Sequence, residues 1–600
     1  FEILQQTTTF NVHHHPPLVN TMYITPNQYA KTFQDIKRSS LSHSTCKLVI
    51  FVSCLDVDAL CAAKILSLLL RKELIQYQLI PTTGYSDLKL HYDKLDSEVT
   101  NIILIGCGAM LDLEGFFDVN PEEFLGDNST TNGHTIDNDT ELELDAVKTD
   151  NFALTRKIYV VDGHRPWNLD NLFGSAMVVC LDNGYIDGNL NEEKEAYNVL
   201  VEMSDSEDED EDEGHNQNGH ADDDQEGDKT DADDENDESS VSTSRKGVKS
   251  INEDKIQTYY NQSSTIASSC SITVYALVSA IGETNVDNLW LGIVGASGFD
   301  CSIFVDEVRR FSTDSGIHME RGTYLPLLRH SSLYDALLYN WIDGDKRIHK
   351  ILAKMGVPIV AAKQQWQYLD PPIKNKLPGL LKKYLPELPQ VEIFYRCGVT
   401  SMDVFVSLTA LLETGVGLNN TSANSIDHGD LEDENELIRR EIKSRESSYI
   451  RNFWSAFDSV SSFGISNNIG LEKGITAAKL VQKELFQTIK YIIEQKLIKN
   501  LKVYRLCILK DESSHLGFDN PVLLIKLSNR IMDYLKQQTL KPLVVAAELS
   551  NTYFVLGMGI NNAFSKISGA QMKKDFFEAS LVEIKKEDLA PFLEQLTFNL

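Results

Sequence analysis

Two short strings hold the side chains best suited to chemistry: Asp56-Val57-Asp58 and Asp162-Gly163-His164. Carboxylates and an imidazole at this spacing suit divalent cations. A two-metal phosphoesterase centre needs several such groups, because two ions a few ångströms apart must share a bridging ligand and activate one water. Each string follows a short apolar run, KLVIFVS (47–53) and KIYVV (157–161). A third run, IILI, ends in Gly106-Cys107-Gly108, with no carboxylate or imidazole.

The elements that must position these residues follow from the pattern. The run 47–53 is short and β-branched, as suits a buried parallel strand, and 57–71 then reads as a helix. The same unit recurs: 76–81, 101–107 and 157–162 read as further strands, with a helix-like stretch at 87–95. Alternating β and α elements predict an α/β fold with a mostly parallel sheet covered on both faces. In such sheets ligand sites lie beyond the carboxyl ends of the strands, where Asp56, Asp58, Gly106 and Asp162 all fall.

At 600 residues the chain calls for two or more domains. We expect residues 1–21 to be a non-native or disordered extension, with 22–200 an α/β domain completed by 251–311 and interrupted by an acidic disordered linker at 201–250. A polar insertion loop is expected at 120–150. Residues 312–455 read as an all-helical inserted domain with a weakly ordered stretch at 415–436, and 456–600 as a smaller C-terminal α/β domain. The net charge of −32 is largely local: 205–238 holds 19 acids and one lysine, and the remainder carries about −14. Any contact with nucleic acid therefore needs a sequestered basic groove. Nine cysteines without CxxC pairs read as buried free thiols in a reducing compartment. With no long apolar run and no signal-peptide pattern, we expect a soluble cytosolic or nuclear protein and no membrane contact.

Cys54-Leu55-Asp56-Val57-Asp58-Ala59 resembles the DxDxDG-like first motif of the DHH, or RecJ-type, phosphoesterases, with Asp56 and Asp58 matching and Cys54 and Ala59 departing from it. In that superfamily the second motif ends a strand in a metal-bridging Asp, where this chain has Gly106. The Asp-His-His motif is matched by Asp162 and His164 but has Gly163 in its middle, and Asp300 in GIVGASGFD aligns as a fourth-motif acid. Gly557-Met558-Gly559-Ile560-Asn561-Asn562 stands where a GGGH-like substrate loop would be, without the histidine.

The chain resembles the cell division control protein 45 family more closely, through FVSCLDVDALCAAKI (51–65), IGCGAMLD (105–112), VDGHRPWNLDNL (161–172), NLWLGIVG (288–295) and LRHSSLYD (328–335). That resemblance implies a DHH-like domain, a helical insert and a DHH-associated-like domain. It implies a degenerate site with no catalytic residue, metal or cofactor, Cys54, Gly106 and Gly163 marking the lost ligands and Asp56, Asp58, Asp162, His164 and Asp300 the vestigial ones. The implied role is replication initiation and elongation in the nucleus, as an accessory subunit of the replicative helicase with the minichromosome maintenance hexamer, the GINS complex and replication initiation factors. Single-stranded DNA is a further expected ligand. The alternative is an active metal-dependent DHH-superfamily phosphoesterase or single-strand exonuclease, which would need Asp112 or another acid in place of Gly106.

The surviving acids also have a plainer reading, as hydrogen-bonded caps of loops and helix starts. Arg165 suits either phosphate or an internal ion pair, and His330 beside Ser331 and Ser332 reads as packing and capping. Ser204 and Ser206 precede acidic runs and are candidate phosphorylation positions in what is otherwise a solvated linker.

Overall fold

Strands form where β-branched and aliphatic residues are buried on both faces, and 48–53 is buried at every position. In the computed structural model, residues 23–42, 45–118, 156–175, 177–212, 238–299, 301–311, 316–340, 345–415, 434–460, 469–510, 517–535, 541–560, 563–564, 567, 572–573 and 575–600 are described. The first strands are β1 (Tyr23–Ile24), β2 (Leu48–Ser53), β3 (Gln78–Thr82), β4 (Asn101–Ile105), β5 (Lys157–Val161), β6 (His164–Arg165), β7 (Val178–Leu181) and β8 (Thr265–Ile266). Six of them make a sheet in the order β1-β7-β5-β4-β2-β3, parallel throughout, while β6 and β8 pair separately as an antiparallel ribbon.

Successive residues of β2 point to opposite faces of that sheet. Ile50 and Val52 pack with the helices Tyr29–Ser40, Val57–Lys72, Cys270–Ile281 and Val286–Gly295. Val49 and Phe51 pack with Leu88, Tyr92, Trp167 and Tyr259 on the other side. Each fully buried aliphatic side chain contributes about 2 kcal/mol, and a one-residue slip of β2 would exchange the two sets.

The first core does not stop at the sheet. Leu408 and Leu411 of the helix Ser401–Thr414, Phe453 and Phe457 of Glu434–Ser459, and Ile475 of Ile469–Glu494 belong to it. Lys64, on the first helix after β2, donates to the Phe457 carbonyl oxygen at 3.3 Å and lies 4.0 Å from that ring's centroid.

Residues 312–455 are not helical throughout, contrary to the expectation. They hold an antiparallel sheet of β9 (Ile317–Thr323), β10 (Gln390–Arg396) and β11 (Val399–Thr400). The pairing of β9 with β10 joins segments some 70 residues apart, so no local window could reveal it. The stretch 201–250, expected to be disordered, is helical at both of its described ends. The helices Asn191–Asp212 and Glu238–Tyr260 run into it from both sides, rooted by the buried Ala196 and Tyr259. Helix propagation from an anchored turn is cheaper than nucleation, which carries the helix into polar sequence. Ser204 and Ser206 fall within the first of these helices.

The C-terminal sheet comprises β12 (Ile498–Asn500), β13 (Arg505–Leu509), β14 (Leu543–Glu548), β15 (Thr552–Met558), β16 (Met572–Lys573) and β17 (Leu581–Lys585), in the order β12-β13-β14-β15-β17-β16. Only β13 and β14 run parallel in it. Among the described residues no helix is long and apolar enough to cross a membrane. The extension 1–21, the insertion 120–150 and most of 415–436 lie outside the described residues.

Candidate functional site

The turn after β2 sets the first carboxylates. Asp56 is the N-cap of the helix Val57–Lys72 and accepts the backbone N–H groups of Asp58 and Ala59, both at 3.0 Å. Asp58, in the first turn, is buried and reaches to the start of the helix Cys270–Ile281. Its Oδ1 accepts from Ser269 Oγ at 2.7 Å and from Ser271 N at 3.0 Å, and its Oδ2 from Cys270 N at 2.6 Å. Ser271 Oγ donates in turn to the Asp58 carbonyl at 2.9 Å. The Asp58 carboxylate thus caps the second helix while standing in the first turn of its own, and both N-termini favour negative charge.

Asp162, at the end of β5, is used as fully. Its Oδ2 accepts Ala109 N at 2.9 Å, and its Oδ1 accepts His164 N at 3.1 Å and lies 2.6 Å from His164 Nδ1. Arg165 donates to the carbonyl oxygens of Asp162 and His164 at 3.2 and 2.8 Å and covers the Trp167 ring at 4.6 Å. It is engaged by backbone carbonyls and an aromatic face.

The positions without a ligand are closed by packing. Gly106 has φ +73, and a Cβ there would sit 2.8 Å from the Ala59 Cβ and 3.3 Å from the Ser53 Cβ. At Gly163 a Cβ would run into the Ser268 carbonyl oxygen. Neither a bridging carboxylate nor a second imidazole fits these places without moving backbone. Cys54 is buried with its thiol pushed well up by burial, so it stays protonated, unlike the thiolate that binds metal.

Charge in the site is correspondingly contained. Burial raises the Asp56 carboxyl despite its two backbone hydrogen bonds. Burial, with Asp56 nearby, pushes Asp58 up to about 7. Burial also works to raise Asp162, but the His164 charge and the hydrogen bonds around it win and hold that carboxyl low. Burial opposes the His164 cation, yet Asp162 raises it to about 9. The pair is an internal imidazolium–carboxylate contact.

Asp56, Asp58, Asp162, His164, Gly106 and Gly163 do line one cavity of about 180 Å³, which Phe576, Phe577 and Glu578 of the C-terminal part complete. The same three residues border a neighbouring cavity of about 350 Å³ that also takes in Gly557 and Gly559. Asp575 joins the two halves: its carbonyl accepts Tyr85 N at 2.7 Å and its carboxylate accepts Ser86 N, while Phe577 meets the Tyr85 ring edge-on at 4.9 Å. A two-metal centre does not fit here, since the surviving carboxylates are spent on backbone N–H groups, the Ser269 hydroxyl and His164. Among the described residues no group of three or more His, Cys, Asp or Glu side chains is arranged to hold a metal ion.

Sequence reasoning missed Ser269, Ser271 and Glu578. The serines carried a signal, a cap residue directly before the apolar run 270–281; Glu578 had none. Asp300, Asn561 and Asn562 lie outside the described residues. Away from the cavity, Asp112 caps the short helix Leu113–Phe116 through Gly115 N at 3.3 Å. His330 Nε2 stands 3.4 Å from Asp403 Oδ2, Ser331 Oγ donates to the Leu327 carbonyl, and Ser332 Oγ to Asp335.

The CDC45 family model matches residues 49–599. The chain is 35% identical to cell division control protein 45 of Saccharomyces cerevisiae, covering 96% of this chain and all of that protein. It is 28% identical to the Schizosaccharomyces pombe homologue over the same shares. Among solved structures, CDC45 from Entamoeba histolytica superposes with a TM-score of 0.59 at 16% identity, covering 96% of this chain and 99% of that one. With a parallel sheet whose strand-end acids are turned to helix capping and ion pairing, the chain belongs to the cell division control protein 45 family.

Proposed function

We propose that this chain is a non-catalytic factor in the initiation and elongation of DNA replication, acting in the nucleus as an accessory subunit of the replicative helicase. Its partners in this reading are the minichromosome maintenance hexamer, the GINS complex and replication initiation factors, with single-stranded DNA as a further ligand. Support for the replication role comes from membership in a family whose relatives are named for cell division control. Support for the absence of catalysis comes from the site: the bridging position is Gly106, and the space a carboxylate would need is occupied by the Ala59 methyl. That single relationship counts against the rival, an active metal-dependent phosphoesterase or exonuclease.

Two measurements test the halves of the proposal separately. Affinity capture from replicating cells should bring down the hexamer subunits and GINS together; capture of neither would overturn the helicase assignment. The purified chain given manganese and a labelled single strand should release no nucleotides. Release that disappears in an Asp56→Ala, Asp162→Ala double variant would restore the enzyme reading.

A further inference from the structure

Where the N-terminal and C-terminal parts meet, aromatic rings gather around one carboxylate. The cavity of about 350 Å³ is lined by Tyr85, Tyr260, Phe564, Phe576, Phe577 and Glu578, drawn from both parts of the chain. Each ring has a partner that fixes it. Tyr85 and Phe577 meet edge-on at 4.9 Å, Phe576 meets Phe554 at 5.6 Å, and Phe564 meets Phe592 at 5.3 Å. The Tyr260 hydroxyl accepts Leu169 N at 2.8 Å. The walls are therefore set before any ligand arrives. Glu578 is the one charged side chain among the described residues that line this cavity. Its Oε1 accepts Ser580 Oγ at 2.6 Å and Ser580 N at 3.4 Å, whereas no described residue donates to its Oε2. His164, the cation bordering the smaller cavity alongside, is held by Asp162 at 2.6 Å.

Rings between two parts of a chain often do no more than pack. Two features exceed that account: the rings leave a cavity between them, and an acceptor without a donor stands on its wall. Ring faces attract cations, most strongly where water is displaced. A phosphate or carboxylate would be repelled by Glu578, and a neutral aromatic ligand would leave its Oε2 unmatched. A cation satisfies both the rings and the acid. The volume exceeds what an ammonium head fills, and Leu111, Ile560 and Leu581 on the walls suit the four methylenes of a lysine stem. The net charge of −32 favours the approach of a basic partner.

We propose that this cavity receives a methylated lysine side chain from a partner polypeptide. The methyl groups lie against the rings, and the remaining N–H of a mono- or dimethylated ammonium donates to Glu578 Oε2. Methylation matters because an unmodified ammonium is strongly hydrated and costly to take out of water. The proposal goes beyond the replication reading and needs neither the helicase partners nor DNA.

The test is fluorescence anisotropy of the full chain with a labelled glycine pentapeptide carrying dimethyllysine at its centre. Binding should be measurable with a Kd below about 1 mM. The same peptide with acetyllysine, which is uncharged, should bind at least about tenfold more weakly. Glu578→Gln keeps the shape and removes the charge; it should weaken dimethyllysine binding by about tenfold and leave acetyllysine binding unchanged. Phe576→Leu keeps an apolar wall and removes one ring, and should weaken dimethyllysine binding by about fivefold. Failure of the parent to bind, equal affinity for the two peptides, or unchanged binding by Glu578→Gln overturns the proposal. Choline binding as tightly as the dimethyllysine peptide would show that a small cation is recognised on its own, and overturns the assignment to a polypeptide.

Discussion

The Ala59 methyl lies over Gly106, so that a Cβ at residue 106 would come within 2.8 Å of it. Gly106 directly follows β4, Ala59 lies in the first turn of the helix after the neighbouring parallel strand β2, and their sizes are complementary. A small residue at 106 permits alanine at 59, and alanine at 59 excludes a carboxylate at 106. Gly106→Asp should therefore destabilise the protein by about 3 kcal/mol, combining left-handed backbone strain with overpacking. Ala59→Gly in the same chain should recover about 1 kcal/mol of this. A double-mutant cycle by denaturant unfolding measures the coupling, and strict additivity would show that the two side chains do not compete for this space.

Asp58 is a structural cap of the helix Cys270–Ile281. Asp58→Ala should cost about 2–3 kcal/mol by leaving the N–H groups of Cys270 and Ser271 and the Ser269 hydroxyl unmatched. Its carboxyl is raised to about 7, so the folded state holds that proton more tightly than the unfolded state. The Asp58 contribution to stability accordingly declines as pH rises from about 4 to 7, and the variant should lack that slope. Manganese or a chelator should leave the parent melting temperature unchanged; a metal-dependent rise lost in Asp58→Ala would reassign the residue as a ligand.

The Asp162–His164 contact makes the opposite end of the pH scale informative. His164 is raised from 6.5 to about 9 by Asp162, so its contribution is complete below about pH 6.5 and is lost as pH climbs through 9. Asp162 is held low, and its share is lost only on acidification through that lowered value. Thermal unfolding of the parent should show falling stability between pH 7 and pH 9, which His164→Gln should flatten. An unchanged alkaline slope in that variant would place the titration elsewhere.

Arg445, on the helix Glu434–Ser459, donates to Glu583 of β17 at 2.5 Å, and Thr552 Oγ donates to the same oxygen at 2.7 Å. Only 3% of the Glu583 side chain is exposed. Arg445→Ala should cost about 3–5 kcal/mol because a buried carboxylate loses its partner. Arg445→Met with Glu583→Leu should restore most of that loss, because both charges leave together. Equal instability of the single and double variants in urea would show that the pair is not the reason.

Strand positions around the candidate site were legible in the residues because they depend on local pattern. KLVIFVS and KIYVV are apolar runs of strand length, and both lead directly into the acids they position. The family resemblance rested on strings that stay contiguous along the chain. The antiparallel sheet of β9 and β10 was not legible, because hydrogen bonds between distant segments leave no trace in either segment's periodicity.

By itself, the sequence determined which side chains stand at the strand ends, and that Gly106 and Gly163 bring none. Only the tertiary structure decided what the remaining acids do. Asp58 meets Ser269 and Ser271 across more than 200 residues of chain, and Phe577 and Glu578 come from the far end to complete the cavity. A carboxylate's role is set by the donors that surround it once water is excluded, and folding alone brings those donors together.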